Sequence, residues 1–108
     1  MSMLLGRFEQ SVLLAVYHLR GSGYAVSIAD ELGQRTGKSV SFGAVYATAD
    51  RLEKKGLVSS KLGEATPERG GKQKRLYQVT GAGIKILAEI QRVDAQMWAG
   101  ARPAGAPA

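Results

Sequence analysis

The chain has 108 residues, of which 44% are hydrophobic and 22% are charged, and it contains no cysteine. This length predicts a single domain with a modest core, and the missing cysteines exclude a disulfide framework and a thiolate metal site. The N-terminal segment has no basic run followed by an apolar run, and no stretch reaches the length of a membrane span. We therefore expect a cytoplasmic protein with no membrane partner.

A first helix is predicted from about Gly6 to Leu19. Apolar residues recur there at helical spacing and predict one buried face, which consists of Phe8, Val12, Ala15, Val16 and Leu19. Leu13 and Tyr17 lie off that face, which indicates a helix that buries more than one side. Two explanations remain open: the helix is fully buried in its own domain, or it also packs against a partner chain. We expect the single histidine, His18, at the surface or its boundary.

A short turn at Gly21–Gly23 precedes a second predicted helix, from Tyr24 to Thr36. A third helix follows, with Ser41 as its N-cap and Gly56 directly after its last lysine, as a C-cap requires. Both helices have apolar residues at helical spacing that should face a core, namely Ile28, Ala29, Leu32, Val45, Ala49 and Leu52. Two helices joined by such a turn match helix-turn-helix geometry.

Two short strands are predicted after the third helix, at Leu57 to Leu62 and at Leu76 to Val79. The segment between them, Gly63 to Gln73, is too long and too charged for a tight hairpin turn. From Arg35 to Arg75 the chain has ten basic and four acidic residues, and this surplus equals the whole formal net charge of +6. A basic surplus on a helix and hairpin is typical of a surface that binds a polyanion. The alternative is a solvated lysine-rich surface. The order of elements is the outline of a winged helix.

Thr80 is positioned as the N-cap of a fourth helix, which ends at Trp98. Gly81 and Gly83 in its first turn are expected to weaken it. One apolar stripe, assigned to the chain's own core, consists of Ile84, Leu87 and Ala88. A second, heptad-like stripe consists of Gly83, Ile86, Ile90, Val93 and Met97. We predict a mainly α fold with a small β-hairpin: a winged helix-turn-helix domain over 5–79, a C-terminal dimerisation helix over 80–98 and a disordered tail over 99–108.

Four segments in combination strongly resemble the PadR family of bacterial transcriptional regulators, over about Leu5 to Met97. They are FEQSVLLAV (Phe8 to Val16), YAVSIADEL (Tyr24 to Leu32), GAVYATADRLEKKGLV (Gly43 to Val58) and RGGKQKRLYQVTGAG (Arg69 to Gly83). The chain departs from the family pattern at Ala25, where glycine is frequent, and at Ala49, where leucine is usual. The resemblance implies a winged helix-turn-helix repressor of the short branch with a single C-terminal helix. It also implies a homodimer and a response to small aromatic or drug-like effectors.

Candidate contacts with double-stranded DNA lie on the third helix. Gly43 and Ala47 are small enough to let the helix backbone approach DNA closely, and Tyr46 can donate a hydrogen bond to a phosphate. The family resemblance also implies a DNA contact for Tyr46, and a partly buried aromatic residue is the alternative. Ser41 and the first free amides of the helix can hold a phosphate.

Further candidate contacts are cationic. Lys54 lies on the same face of the third helix, and we expect Asp50 to pair with it at i+4, whereas Arg51 lies off this face. The cations of the wing should neutralise phosphates without reading sequence, and they are Arg69, Lys72, Lys74 and Arg75.

A homodimer interface is predicted from apolar residues that the monomer core does not need. They are Leu13 and Tyr17 on the first helix and Ile86, Ile90, Val93 and Met97 on the fourth. Trp98 would then lie near the two-fold axis. Two copies of this tryptophan could hold a flat aromatic compound between them, or Trp98 could cap the interface and bind nothing.

An enzyme has little support, because the chain has one histidine, no cysteine and no paired carboxylates in an acid–base setting. The two GxG spacings do not continue into a phosphate-binding motif, and we expect no cofactor and no metal. The predicted function is a sequence-specific DNA-binding regulator that acts as a homodimer. The alternative is a winged-helix protein-interaction module without specific DNA binding, which salt dependence of DNA binding would separate from the first.

Overall fold

The computed structural model of the chain describes residues 5–65 and 73–105. Within these residues the elements follow in the order α1 (Arg7–His18), α2 (Ala25–Thr36), α3 (Phe42–Lys54), β1 (Val58–Ala65), β2 (Gln73–Val79) and α4 (Gly81–Trp98). The two strands pair antiparallel, with Val58 opposite Val79 and Leu62 opposite Arg75. The predicted mainly α fold with a β-hairpin is confirmed. Both strands extend further into the predicted loop than expected, and the remainder of that loop lies outside the described residues.

The core lies between α1, α2 and α3, and the hairpin closes one side of it. Its fully buried side chains come from all of these elements and include Val12, Val16, Ile28, Val45, Leu52 and Tyr77. Tyr77 of β2 also ties the hairpin to the turn before α2, because its backbone N–H donates to the carbonyl of Gly23 at 2.8 Å. Burial raises the pKa of the Tyr77 phenol to about 12.

Side-chain caps define where α3 and α4 begin, as the sequence predicted. The Ser41 hydroxyl accepts a hydrogen bond from the Ala44 backbone N–H at 3.2 Å. Thr80 does the same for Gly83 at 3.1 Å, and its hydroxyl donates to the carbonyl of Gly56 at 2.7 Å. One threonine therefore joins the start of α4 to the end of α3. Gly56 has φ +77°, a left-handed conformation that glycine adopts without steric cost.

The structure explains why residue 83 is a glycine, which the sequence did not reveal. A Cβ atom at this position would lie 2.2 Å from the carbonyl oxygen of Leu57 and 2.6 Å from Cγ1 of Val79. The glycine therefore lets α4 pack directly on the base of the hairpin, and its low helix propensity is offset by this close approach.

Several assignments of apolar residues are wrong. Phe8, predicted on the buried face of the first helix, is 37% exposed. Leu13, predicted to be spare, is 0% exposed within the chain's own core. Ile84, assigned to the core, is 48% exposed, whereas Ile86, Leu87 and Ile90 pack against the core from α4. The core-facing side of α4 is thus rotated from the predicted one, because the position of Gly83 against Leu57 decides which residues face inward. Among the described residues, no helix is both long and apolar enough to cross a membrane.

Candidate nucleic-acid interface

The two faces of α3 differ in the way the sequence predicted. Val45, Ala49 and Leu52 are buried against α1 and α2. Gly43, Tyr46 and Ala47 are exposed, and Tyr46 as a whole residue is 50% accessible. Because the exposed face carries two small residues around one phenol, another molecule can approach the helix backbone closely there. Half of the Tyr46 surface is covered within the chain, so both a DNA contact and a partly buried role fit this accessibility.

Charged side chains at the C-terminal half of α3 are paired within the chain. Lys54 Nζ lies 3.3 Å from Asp50 Oδ2, so the predicted i,i+4 pair is confirmed. This pairing reduces the repulsion that Asp50 would exert on a phosphate, and it also holds Lys54 beside the exposed face.

Glu9 is a residue that sequence reasoning missed. Its carboxylate is buried beneath α3, where Oε2 accepts a hydrogen bond from Lys55 Nζ at 2.9 Å and lies 3.7 Å from Arg51 Nε. Its other oxygen accepts the Gly6 backbone N–H at 3.0 Å. The Lys55 hydrogen bond, followed by that of Gly6, holds the pKa of the Glu9 carboxyl below its ordinary value. The contacts fix the end of α3 to the start of α1.

Two of the predicted wing cations lie on β2 and are positioned by contacts with other elements. Lys74 Nζ lies 4.3 Å from the centroid of the Tyr24 ring, in cation–π geometry. Arg75 Nη1 donates to Ser60 Oγ at 2.9 Å, and Ser60 Oγ donates to Glu53 Oε2 at 2.8 Å. This chain of contacts connects β2 through β1 to α3. The other two predicted cations, Arg69 and Lys72, lie outside the described residues.

A groove of about 670 Å³ lies between the start of α2, the exposed face of α3 and the hairpin. Its lining combines aromatic and aliphatic side chains with cations, and includes Tyr24, Phe42, Tyr46, Leu62, Lys74 and Arg75. We call it the α3–hairpin groove. The sequence had not singled out Phe42 and Leu62, which are among the large apolar residues left exposed. Phe42 precedes Val45 by three residues and Ala49 by seven, so helical spacing alone would place it toward the core, and its exposure could not be predicted from the pattern.

A second groove, of about 540 Å³, runs between α1 and α4 and is called the α1–α4 groove here. Leu14, Tyr17 and Ile84 line it and are about half-exposed. Of the residues predicted for the dimer interface, Tyr17 and Ile90 line this groove, whereas Leu13 does not. Met97 and Trp98 at the end of α4 are 75% and 61% exposed. The described residues therefore leave apolar side chains uncovered on both helices.

Comparisons with known proteins agree with the architecture. A family model described as the transcriptional regulator PadR-like family matches residues 13–89. Among solved structures, a PadR family transcriptional regulator from Eggerthella lenta is 24% identical, with a TM-score of 0.70 over 87% of this chain and 80% of that one. A PadR-like transcriptional regulator from Bacillus cereus is 22% identical, with a TM-score of 0.68 over 92% and 90% of the two chains.

RosR from H. salinarum is also similar, at 22% identity and a TM-score of 0.71 over 94% of this chain and 84% of that one. At these identities the solved structures show the fold, which is a winged helix-turn-helix followed by a single long helix. No curated protein matches the chain. In the part of the chain that the structure describes, no group of acidic and histidine side chains could hold a metal ion.

Proposed function

The chain belongs to the PadR-like family of transcriptional regulators, and on that premise we propose that it is a sequence-specific DNA-binding repressor that acts as a homodimer. The observation that carries the DNA-binding part is the exposed face of α3 beside two positioned cations on the hairpin. Gly43 and Ala47 leave room for a groove wall, and Tyr46 offers a hydroxyl donor between them. A helix of this kind enters a major groove of DNA.

Each part of this surface has a separate task in the proposal. Tyr46 donates a hydrogen bond to a phosphate. The Ser41 hydroxyl oxygen accepts the Ala44 backbone N–H, and its proton can be donated to a second phosphate. Lys74 and Arg75 neutralise the backbone beside the groove that α3 occupies. The Glu9 contacts keep α3 at a fixed angle to α1, so that the two α3 helices of a dimer have a defined separation.

The dimer proposal rests on the apolar side chains left uncovered on α1 and α4. Leu14, Tyr17 and Ile84 line the α1–α4 groove, and Met97 and Trp98 extend beyond it. A second copy of the chain would cover them through a self-complementary interface across a two-fold axis. The two α3 helices would then meet successive major grooves about 34 Å apart on a pseudo-palindromic operator.

A small aromatic effector is the remaining part of the proposal. Trp98 is 61% exposed at the end of α4, where two copies in a dimer can face each other. A flat compound held between the two indole rings would alter the separation of the α3 helices and release the operator. If Trp98 only packs, a varied panel of planar compounds will leave its fluorescence unquenched.

Selection of bound duplexes from a random DNA pool tests the function directly. We expect the wild-type chain to enrich a two-fold symmetric sequence whose half-sites lie one helical turn apart. Ala47→Glu, which puts a carboxylate on the exposed face of α3, should enrich nothing. Ala82→Glu, the same change at an exposed position of α4, should enrich the wild-type sequence. A wild-type chain that enriches no sequence would contradict the proposal and favour a protein-interaction module.

A further inference from the structure

We propose that Phe42 determines operator specificity by contacting the 5-methyl group of a thymine in the major groove. The inference rests on the proposed DNA-binding function and adds the base that one residue recognises. Phe42 is the first residue of α3, directly after the Ser41 N-cap, and it is 62% exposed. In helix-turn-helix proteins the N-terminal residues of the recognition helix are those that contact base edges.

The exposure of Phe42 is not explained by packing within the chain. Phenylalanine is among the residues most often buried, and leaving it in water forgoes a favourable transfer. Its exposed neighbours are also apolar, because Tyr46 lies one helical turn further along α3 and Leu62 lies across the α3–hairpin groove. These three side chains make one apolar surface on the side of the molecule that carries the exposed face of α3. Such a surface indicates a partner that offers an apolar group there.

The charges around this surface indicate the chemical class of the partner. Lys74 and Arg75 line the same groove. The occupant is therefore a polyanion that also presents a small apolar group. Duplex DNA meets both conditions, because the thymine methyl is the apolar group that its major groove displays, and phenylalanine is one of the side chains that contact it.

The chemistry of a phenyl ring limits what Phe42 can recognise. It has no hydrogen-bond donor or acceptor, so it cannot read the polar edge of a base pair. It distinguishes a thymine from a uracil only by the methyl group, and the two bases pair identically with adenine. Replacing one by the other therefore isolates the proposed contact and leaves the hydrogen-bond pattern of the groove unchanged.

The test uses the duplex that the wild-type chain enriches from a random pool. Each thymine is replaced in turn by deoxyuridine, and the dissociation constant is measured for every duplex. We expect one thymine per half-site whose conversion weakens wild-type binding about three- to fivefold, as loss of one buried methyl implies. Phe42→Ala should bind the thymine and uracil duplexes equally. Leu62→Ala, which removes a neighbouring exposed side chain, should retain the difference at that base.

Several outcomes would overturn the inference. Equal wild-type affinity for thymine and uracil at every position would do so, and so would a Phe42→Ala protein that retains the difference. A specific operator without any methyl effect would remove this inference and leave the proposed function standing, whereas failure to enrich any sequence would remove both. Because Phe42 is exposed, its alanine variant should melt like the wild type, and melting curves check this.

Discussion

Glu9 shows how much the position of α3 depends on one side chain. Its carboxylate joins Lys55 and Arg51 of the α3 end to the backbone of Gly6 at the start of α1. The sequence could indicate an acidic residue in the first turn of a helix. It could not indicate the cations that meet it, because Lys55 lies 46 residues further along the chain. Such long-range pairs are decided by the packing of helices rather than by local pattern.

The lowered pKa of Glu9 predicts a pH dependence of stability. In the unfolded chain the carboxyl titrates near its ordinary value of about 4.3. The contribution of Glu9 to the free energy of unfolding is therefore complete above that pH. It is lost as the pH falls through the lower pKa of the folded state.

Glu9→Gln should remove this contribution and flatten the fall in stability between those two pKa values. At neutral pH we expect it to lower the free energy of unfolding by about 1–2 kcal/mol, since a hydrogen bond to a charged group is removed. Denaturant unfolding at a series of pH values measures both effects. Glu89→Gln is the control, because its ion pair with Arg92 is exposed and should contribute little. Equal decreases in the free energy of unfolding of the two variants would show that the Glu9 contacts stabilise the chain no more than an exposed ion pair does.

Tyr46→Phe removes only a hydroxyl from the exposed face of α3. We expect an unchanged melting temperature, because the ring keeps its packing. Affinity for the operator should fall roughly tenfold, as removal of a hydrogen bond to a phosphate implies. Fluorescence anisotropy with labelled operator measures the change. Undiminished affinity at an unchanged melting temperature would show that the hydroxyl makes no DNA contact.

At the scale of elements, local signals predicted the order and the caps, and tertiary contacts decided the rest. Ser41 and Thr80 cap the helices that the sequence assigned to them, because a cap depends only on neighbours in the chain. Ile84, Ile86 and Ile90 of α4 were assigned to the wrong sides, since both apolar stripes have helical spacing and only packing on the hairpin determines which residues face inward. For Leu13 the sequence left two explanations open, burial in its own domain or packing against a partner chain, and the structure shows that it is buried within its own chain.

Gly83 and Gly81 make a matched pair for testing how α4 packs on the hairpin. A Cβ at Gly83 would collide with the backbone carbonyl of Leu57, whereas a Cβ at Gly81 meets nothing within 4 Å. Gly83→Ala should lower the free energy of unfolding by about 2–3 kcal/mol, because α4 must move away from the hairpin. Gly81→Ala should raise it by about 0.5–1 kcal/mol through helix propensity. Thermal and denaturant unfolding of both variants checks the sign, and a stable Gly83→Ala protein would contradict the close approach.

At the scale of the whole molecule, the uncovered residues of the α1–α4 groove predict a dimer. Leu14→Asp combined with Ile84→Asp puts two charges into the proposed interface, and both positions are about half-exposed, so the monomer should still fold. We expect monomers in sedimentation equilibrium and loss of operator binding. Ile90 is unsuitable for this purpose, because it packs against the core.

Gln34→Asp is the control for the dimer experiment, since this residue is exposed on α2 and lies outside both grooves. The control should remain dimeric and bind the operator. A doubly substituted protein that stays dimeric would place the interface elsewhere.

The distribution of charge over the molecule is the feature on which the DNA-binding account depends. The segment from Arg35 to Arg75 contains the whole formal surplus of +6, and it includes α3, β1 and the start of β2. The sequence alone predicted this localisation, since charge counting needs no coordinates. It could not predict that Lys74 and Arg75 are positioned against Tyr24 and Ser60, because those contacts cross between elements.

The dependence of DNA affinity on salt concentration tests this account most directly. We expect the logarithm of the wild-type association constant to fall steeply and linearly with the logarithm of the salt concentration. Replacing Lys72, Lys74 and Arg75 together with alanine should weaken binding to all sequences and reduce the slope by about 0.9 for each phosphate that is no longer neutralised. Replacing Lys85 and Arg92 on α4 should leave the slope unchanged. Wild-type binding that is independent of salt, or a triple variant with unchanged affinity and slope, would contradict the assignment of α3 and the hairpin as the DNA-binding surface.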